Sequence, residues 1–424
     1  MQLRTTITTD TMAQWFGADD LVRVPAGALP DALVHEPTRR FLSEVGLPRE
    51  GGAYVRLHTD PAVWLLPVSG RLEAGTGGDH LLVLGECGGQ PPFFGDWLVL
   101  DAVTGQVFIA GGRSGAGGEV ATDLVASDLS VLVTFMHELE ALRAAAADPT
   151  AHDGRRGRDV MTEVTRAVRE RMQATDPAVF TPYGDAPHWT AVLAGYGLLW
   201  AARRHHDAAE SLAFDITPEL MEDLSTVPVS PEDLPPALQH EPTRRLLTTV
   251  GLPTDGYLRD SEERPLVTVD DPASAPAGDG DGPHCPARRE LIRLGAAGQE
   301  HEILLDGVTG RIEAAEGDDL EDCPSEPLHT DLSAFYLAVW TLTRLAGLWE
   351  AMQEQDEEFD DYEGEFKLDP YNPGPTDWNV FFGKFTLERI ALDLLAQLDA
   401  PSVAHDDTLW NVCANDSNYG YLLG

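Results

Sequence analysis

The chain has 424 residues, 43% of them hydrophobic, with a formal net charge of −42, which is enough apolar material for two ordinary cores. A field of this sign repels nucleic-acid phosphates and anionic lipid and favours basic partners. No apolar run approaches the roughly 18 residues of a membrane span, and the opening MQLRTTITTD lacks a signal-peptide core, so a cytoplasmic protein is expected.

In chain order, Glu36-Pro37 predicts a short helix with proline at its first position, where no amide donor is lost. Gly46 in the run VGLP ends it as a left-handed residue, and Pro48 prevents continuation. Strands are expected over Tyr54–Thr59, Val63–Val68, His80–Glu86, Asp96–Asp101 and Gly105–Ala110, where Val, Leu and aromatics alternate with Gly, Pro and Asp punctuation. LDAVTGQV, Leu100 to Val107, reads as two antiparallel strands around a tight turn. A helix is expected from Ser127 or Asp128 to near Pro149, followed by a Gly/Arg-rich linker, His152 to Arg158. The segment 200–215, containing AARRHHDAAE, has charge and no glycine, and its composition suits a helix.

The same grammar then returns. LPDALVHEPTRRFLSEVGLP at Leu29 reappears as LPPALQHEPTRRLLTTVGLP at Leu234, with 15 of 20 positions identical at an offset of 205. LDGVTGRI at Leu305 repeats LDAVTGQV at the same offset. DLSAFYLA at Asp331 echoes DLSVLVTF at Asp128, and QLDAPSV…LWNVC echoes QATDPAVF…HWTAVL. Four ordered matches imply a duplicated domain, because the period is far longer than the 20–50 residues of solenoid repeats. Two domains are therefore expected, 1–205 and 206–424. In the second, a helix over Leu332–Met352 and a final amphipathic helix with Leu387, Ile390, Ala391, Leu394, Leu395 and Leu398 on one stripe are expected. Helix, antiparallel meander, then packed helices make an α+β domain. Cys87, Cys285, Cys323 and Cys413 occupy non-equivalent positions of the two copies with no CxxC spacing, which predicts reduced thiols rather than a disulfide or zinc framework.

Charge divides the copies. Residues 1–206 carry 17 Lys/Arg and 25 Asp/Glu, net −8, and residues 207–424 carry 12 and 46, net −34. Catalytic signatures are missing. No phosphate-binding glycine loop, dinucleotide fingerprint or nucleophile elbow occurs, and His137-Glu138 and His301-Glu302 each lack the second histidine of HExxH. HEPTRR gathers His35, Glu36, Arg39 and Arg40, but at a helix start the acid favours the positive dipole end and the histidine packs at the entry turn. No enzyme, cofactor or metal site is expected, and an EF-hand fails on spacing.

The order W-F-G, V-P, LP, HEPTRRFLxxVGLP, LxLG, GDWLxLDxxTGxV and a DLS-initiated helix resembles the SUKH superfamily, most closely its fourth group, found widely in actinobacteria as immunity proteins of polymorphic toxin systems. The resemblance spans Trp15 to about Leu199 in copy one, and in copy two is clearest at HEPTRR…VGLP and LDGVTG. It implies two tandem SUKH-like α+β domains, each an antiparallel sheet meander packed with helices. The implied function is binding and neutralising a toxin, often a nuclease or nucleic-acid deaminase. The alternative is a non-catalytic scaffold or regulatory adaptor built from the same domains.

Where the copies differ, partner contacts are expected. Copy one has GECGGQPPFFGDW, with Phe93 and Phe94 as exposed anchors and Trp97 either an anchor or the start of a buried strand. Copy two is five residues shorter there and lacks the aromatics. Copy two instead carries an acidic–aromatic insertion, 353–378, in which Asp356, Glu357, Glu358, Asp360 and Asp361 are interleaved with Phe359 and Tyr362. A solvated charge run usually lacks aromatics, so this segment suits docking of a basic protein toxin.

Overall fold

Runs of Val, Leu and Ile broken by Gly and Asp turns build the same antiparallel meander twice. The structure is a computed structural model that describes residues 7–49, 51–52, 54–60, 63–70, 78–87, 97–110, 122–180, 188–205, 211–253, 266–268, 291–297, 301–316, 325–357, 377–405 and 408–415. The first repeat supplies α1 (Thr9–Phe16), β1 (Leu21–Val22), α2 (Glu36–Arg40, with a wider helical turn through Val45), β2 (Leu47–Pro48), β3 (Val55–Leu57), β4 (Leu81–Cys87), β5 (Trp97–Asp101), β6 (Val107–Ala110), β7 (Thr122–Ala126), α3 (Leu129–Ala147), α4 (Arg158–Thr175) and α5 (His188–Gly197). The second supplies β8 (Thr226–Val227), α6 (Glu241–Thr249), β9 (Leu252–Pro253), β10 (Val267–Thr268), β11 (Leu291–Ala297), β12 (His301–Asp306), β13 (Ile312–Glu316), β14 (Glu326–His329), α7 (Leu332–Glu357), α8 (Asp377–Leu398) and α9 (Leu409–Asn415).

Each repeat forms a five-stranded sheet in sequence order, β3-β4-β5-β6-β7 and β10-β11-β12-β13-β14, with every pairing antiparallel. Even the irregularities recur: β4 slips register between Val83 and Gly85, and β11 between Arg293 and Gly295. This is an α+β fold built twice. By spatial grouping, one unit comprises Met1–Ala145, Thr162–Gly197 and Leu348–Asp393, and the other Ala146–Met161, Leu198–Gly347 and Leu394–Gly424.

In the first unit the sheet core of Val68, Leu81, Val83, Val99 and Ala110 is fully or almost fully buried. Helix α3 buries Leu129, Val131, Leu132, Val133, Phe135, Met136, Leu139 and Leu142, each contributing about 1.5–3 kcal/mol when removed from water. The first unit also contains α8 as far as Asp393, where Tyr196 bonds the Asp393 carboxylate and Arg389 Nη1 donates to the Cys87 carbonyl at 2.7 Å. In the second unit α7 is apolar nearly all round from Leu332 to Trp340, and it is buried accordingly. The stripe Leu387, Ile390, Ala391, Leu394, Leu395 and Leu398 in α8 is buried, as its spacing predicts.

Two expectations need correction. Val63–Val68 is not a strand: Val63 and Trp64 both donate to the Asp60 carbonyl, Leu65 turns into φ +59°, and Pro67 offers no amide to a ladder, so only the isolated bridge Pro67↔Leu82 survives. The junction is not helical in its described residues. Arg204 and Phe214 form a β-bridge, and His205 Nε2 lies 2.6 Å from Asp215 Oδ1. The Gly/Arg-rich linker opens directly into α4, whose buried Val160, Val164, Val168 and Met172 recur every four residues.

Candidate partner-binding surface

The two strongest sequence matches meet in space, within each repeat. Asp101 Oδ1 accepts the amides of Val103 (2.7 Å) and Thr104 (3.0 Å), which folds the β5–β6 turn. The turn then presents the Ala102 carbonyl, which accepts the amides of both Val34 and His35 at 3.0 Å, the entry to α2. Copy two repeats this: Asp306 Oδ1 accepts from Val308 and Thr309, and the Gly307 carbonyl accepts from Gln239 (2.7 Å) and His240 (2.9 Å).

Gly105 sits at φ +79°, and a Cβ on it would lie 2.1 Å from His35 Nδ1; for Gly310, at φ +78°, the figure is 2.2 Å from His240 Nδ1. Only glycine permits this approach. The histidines in turn bond the hydroxyls of Thr38 (2.7 Å) and Thr243 (2.8 Å), side chain to side chain across the first turn of each helix. Arg39 reaches the carbonyls of Leu33, Pro30 and Ala26, and Arg244 that of Leu238. HEPTRR is thus one half of a structural joint and the VTG turn the other, and these polar groups are committed to holding it. Asp101 and Asp306 both titrate below the ordinary carboxylate value. Burial alone would raise them, but the bonds from the turn residues Val103, Thr104, Val308 and Thr309 outweigh it.

A second repeated device closes the sheet onto the helices. In copy one Asp176 accepts the Ser127 amide (2.8 Å) and hydroxyl (3.0 Å), while Trp189 Nε1 donates to the Val125 carbonyl at 2.8 Å. In copy two Asp399 takes the Thr330 amide (2.7 Å) and hydroxyl (2.6 Å), and also His329 Nδ1 at 2.9 Å. Trp410 Nε1 lies 3.0 Å from His329 Nε2. An indole N–H can only donate, so Nε2 accepts and the ring proton sits on Nδ1, facing Asp399. This buried relay serves packing; the matching QATDP and QLDAP runs carried its signal in the sequence.

The copies diverge at the far end of the β4–β5 hairpin. Glu86 pairs across the ladder with Trp97, and its buried carboxylate lies 3.4 Å from Arg56 Nη1 and 3.6 Å from His58 Nε2. The half-buried Trp97 ring packs on the sheet core and beside His58 at 6.0 Å. The equivalent pair in copy two is Ala296 and Glu302, and Glu302 is engaged by Arg293 at 3.0 Å. Trp97 therefore borders the Phe93–Phe94 segment. Phe93 and Phe94 themselves lie outside the described residues, as do Glu358, Phe359, Asp360, Asp361 and Tyr362, whereas Asp356 and Glu357 end α7.

Among the described residues no group of three or more His, Cys, Asp or Glu is placed to hold a metal ion, and Cys87 and Cys413 are both buried. No described helix is long and apolar enough to cross a membrane. The model of the SUKH-4 immunity protein family matches residues 7–195 and again 208–416. The chain belongs to the SUKH-4 immunity protein family. Its two family matches cover the two meanders, so the duplication read from the sequence is a duplication of the family domain. No curated protein and no solved structure matches the chain.

Proposed function

We propose that this tandem SUKH-4 protein is a stoichiometric, non-catalytic inhibitor that acts in the cytoplasm. It binds and neutralises a cognate basic toxin, of nuclease or nucleic-acid deaminase type, belonging to a polymorphic toxin system. The observation that carries this reading is membership of an immunity family over both repeats, and the net charge of −42 gives the partner its sign. Enzymes acting on nucleic acid present basic clefts, and an acidic protein that covers such a cleft gains both fast capture and a complementary fit.

On this reading the copies contribute differently. Copy one offers the aromatic contacts Phe93, Phe94 and Trp97, of which Trp97 is held at the hairpin end by the sheet core. Copy two offers the acidic–aromatic contacts Asp356, Glu357, Glu358, Phe359, Asp360, Asp361 and Tyr362. Co-expression tests the function directly. Cells making the toxin domain encoded beside this gene should die alone and survive when this chain is made with it. Equal killing in both conditions would overturn the reading and favour a scaffold role.

A further inference from the structure

We propose that the joint of the first repeat is itself a docking surface for the cationic toxin, with Val34 and Val103 as its apolar contact. This inference rests on the functional reading above. It adds a second place of contact, at the end of the β5–β6 hairpin opposite the one that leads to Trp97.

Five large apolar side chains stand out in solvent among the described residues, and three of them, Val34, Val103 and Val308, belong to the two joints. Val34 is 62% exposed and Val103 58%. They flank a single carbonyl, because Val34 donates its amide to Ala102 and Val103 follows Ala102 in the turn. The joint's hydrogen bonds use only their backbones: the Val103 amide goes to Asp101 Oδ1, the Val34 amide to the Ala102 carbonyl, and both side chains lie mostly in solvent. Copy two shows that valine is dispensable at the first position, since Gln239 makes the same backbone bond, to Gly307 at 2.7 Å. An exposed β-branched residue in a tight turn gains nothing locally. An adjacent exposed pair is what a binding site, rather than a scattered surface residue, presents.

Charge indicates what covers the pair. The exposed acids Asp31 and Glu36 lie within three residues of Val34, and Asp101 begins the turn. Of the nearby cations, Arg39 is turned onto backbone carbonyls, while Arg40 and Glu36 offset one another at 3.8 Å, which leaves Asp31 and Asp101 to set the sign. An apolar pair bordered by carboxylates fits a protein surface with an apolar hollow rimmed by Lys and Arg, and it repels nucleic acid and anionic lipid.

The test uses the full chain and, as probe, the purified toxin domain encoded beside this gene, followed by surface-capture kinetics. Val34→Gln with Val103→Thr should leave the unfolding midpoint at the wild-type value and speed dissociation about tenfold or more, with little change in association. Val308→Thr in the second joint serves as the matched control and should change dissociation less. Wild-type binding with an unchanged double variant would overturn this inference alone. Absence of wild-type binding would overturn the functional reading and this inference together. A double variant that melts early is replaced by Val34→Gln alone, for which copy two already demonstrates compatibility; unchanged dissociation in that variant also overturns the proposal.

Discussion

Gly105→Ala is the sharpest probe of the joint. At φ +79° an alanine bears the left-handed penalty of about 1–2 kcal/mol. Its Cβ would also stand 2.1 Å from His35 Nδ1 and 2.8 Å from Thr38 Oγ1, so the histidine must swing away and give up its 2.7 Å bond to Thr38. That bond is worth about 0.5–1.5 kcal/mol net. The single variant should therefore lose about 2–3 kcal/mol, and His35→Ala alone about 1 kcal/mol. Combined, the two should lose less than their sum by about 1 kcal/mol, because removing the imidazole also removes the obstacle. Urea unfolding followed by tryptophan fluorescence gives the four corners of the cycle. Additive losses, or a neutral Gly105→Ala, would refute the claim that HEPTRR and VTG form one joint.

Further expectations concern the clasp and the charge. Asp399→Ala leaves the His329 and Thr330 donors without their acceptor and should cost about 2–4 kcal/mol by chemical denaturation, given about 1–3 kcal/mol for each orphaned buried group. The Asp399 carboxyl is pulled both ways. Burial raises it most, but the His329 and Thr330 hydrogen bonds together hold it below the ordinary value of 3.8. A depressed folded value means the contribution is complete above that ordinary value and vanishes as pH falls through the lower folded one. The deficit of Asp399→Ala against wild type should accordingly shrink on acidification below about pH 4 and stay constant above it; a deficit that grows in acid would contradict the assignment. The association rate with the toxin domain should fall steeply between 50 and 500 mM salt, since exposed charges more than about 10 Å apart are screened at 0.1 M. A flat rate would reduce the acidity of copy two to a solubility device.

The meander was legible because its strands are dense in Val and Leu and bounded by Gly and Asp, and because the chain states them twice. Val63–Val68 misled for a local reason: its composition is that of a strand, yet Asp60 captures two amides and Pro67 breaks the ladder. Strand β7, TDLVA, carries too few apolar residues to stand out, and its place is fixed by pairing with β6. Helix α4 was legible in principle, from valines four apart, but charged residues dilute the stripe. The joint was half legible. Both motifs were evident as repeats, but the contact between His35 and Gly105 joins residues 70 positions apart, and only a fold brings them together. The difference at the Trp97 end was also visible, as an aromatic segment missing from copy two, though its buried partner Glu86 was not.

The central claim, inhibition by one-to-one occupation rather than by chemistry, is tested most directly by titrating the purified chain into the active toxin domain and following the toxin's own turnover. Activity should fall linearly and reach zero at about one equivalent, as expected when affinity far exceeds the concentrations used. Full activity at a tenfold excess, or progressive inactivation by a small fraction of an equivalent, would contradict it.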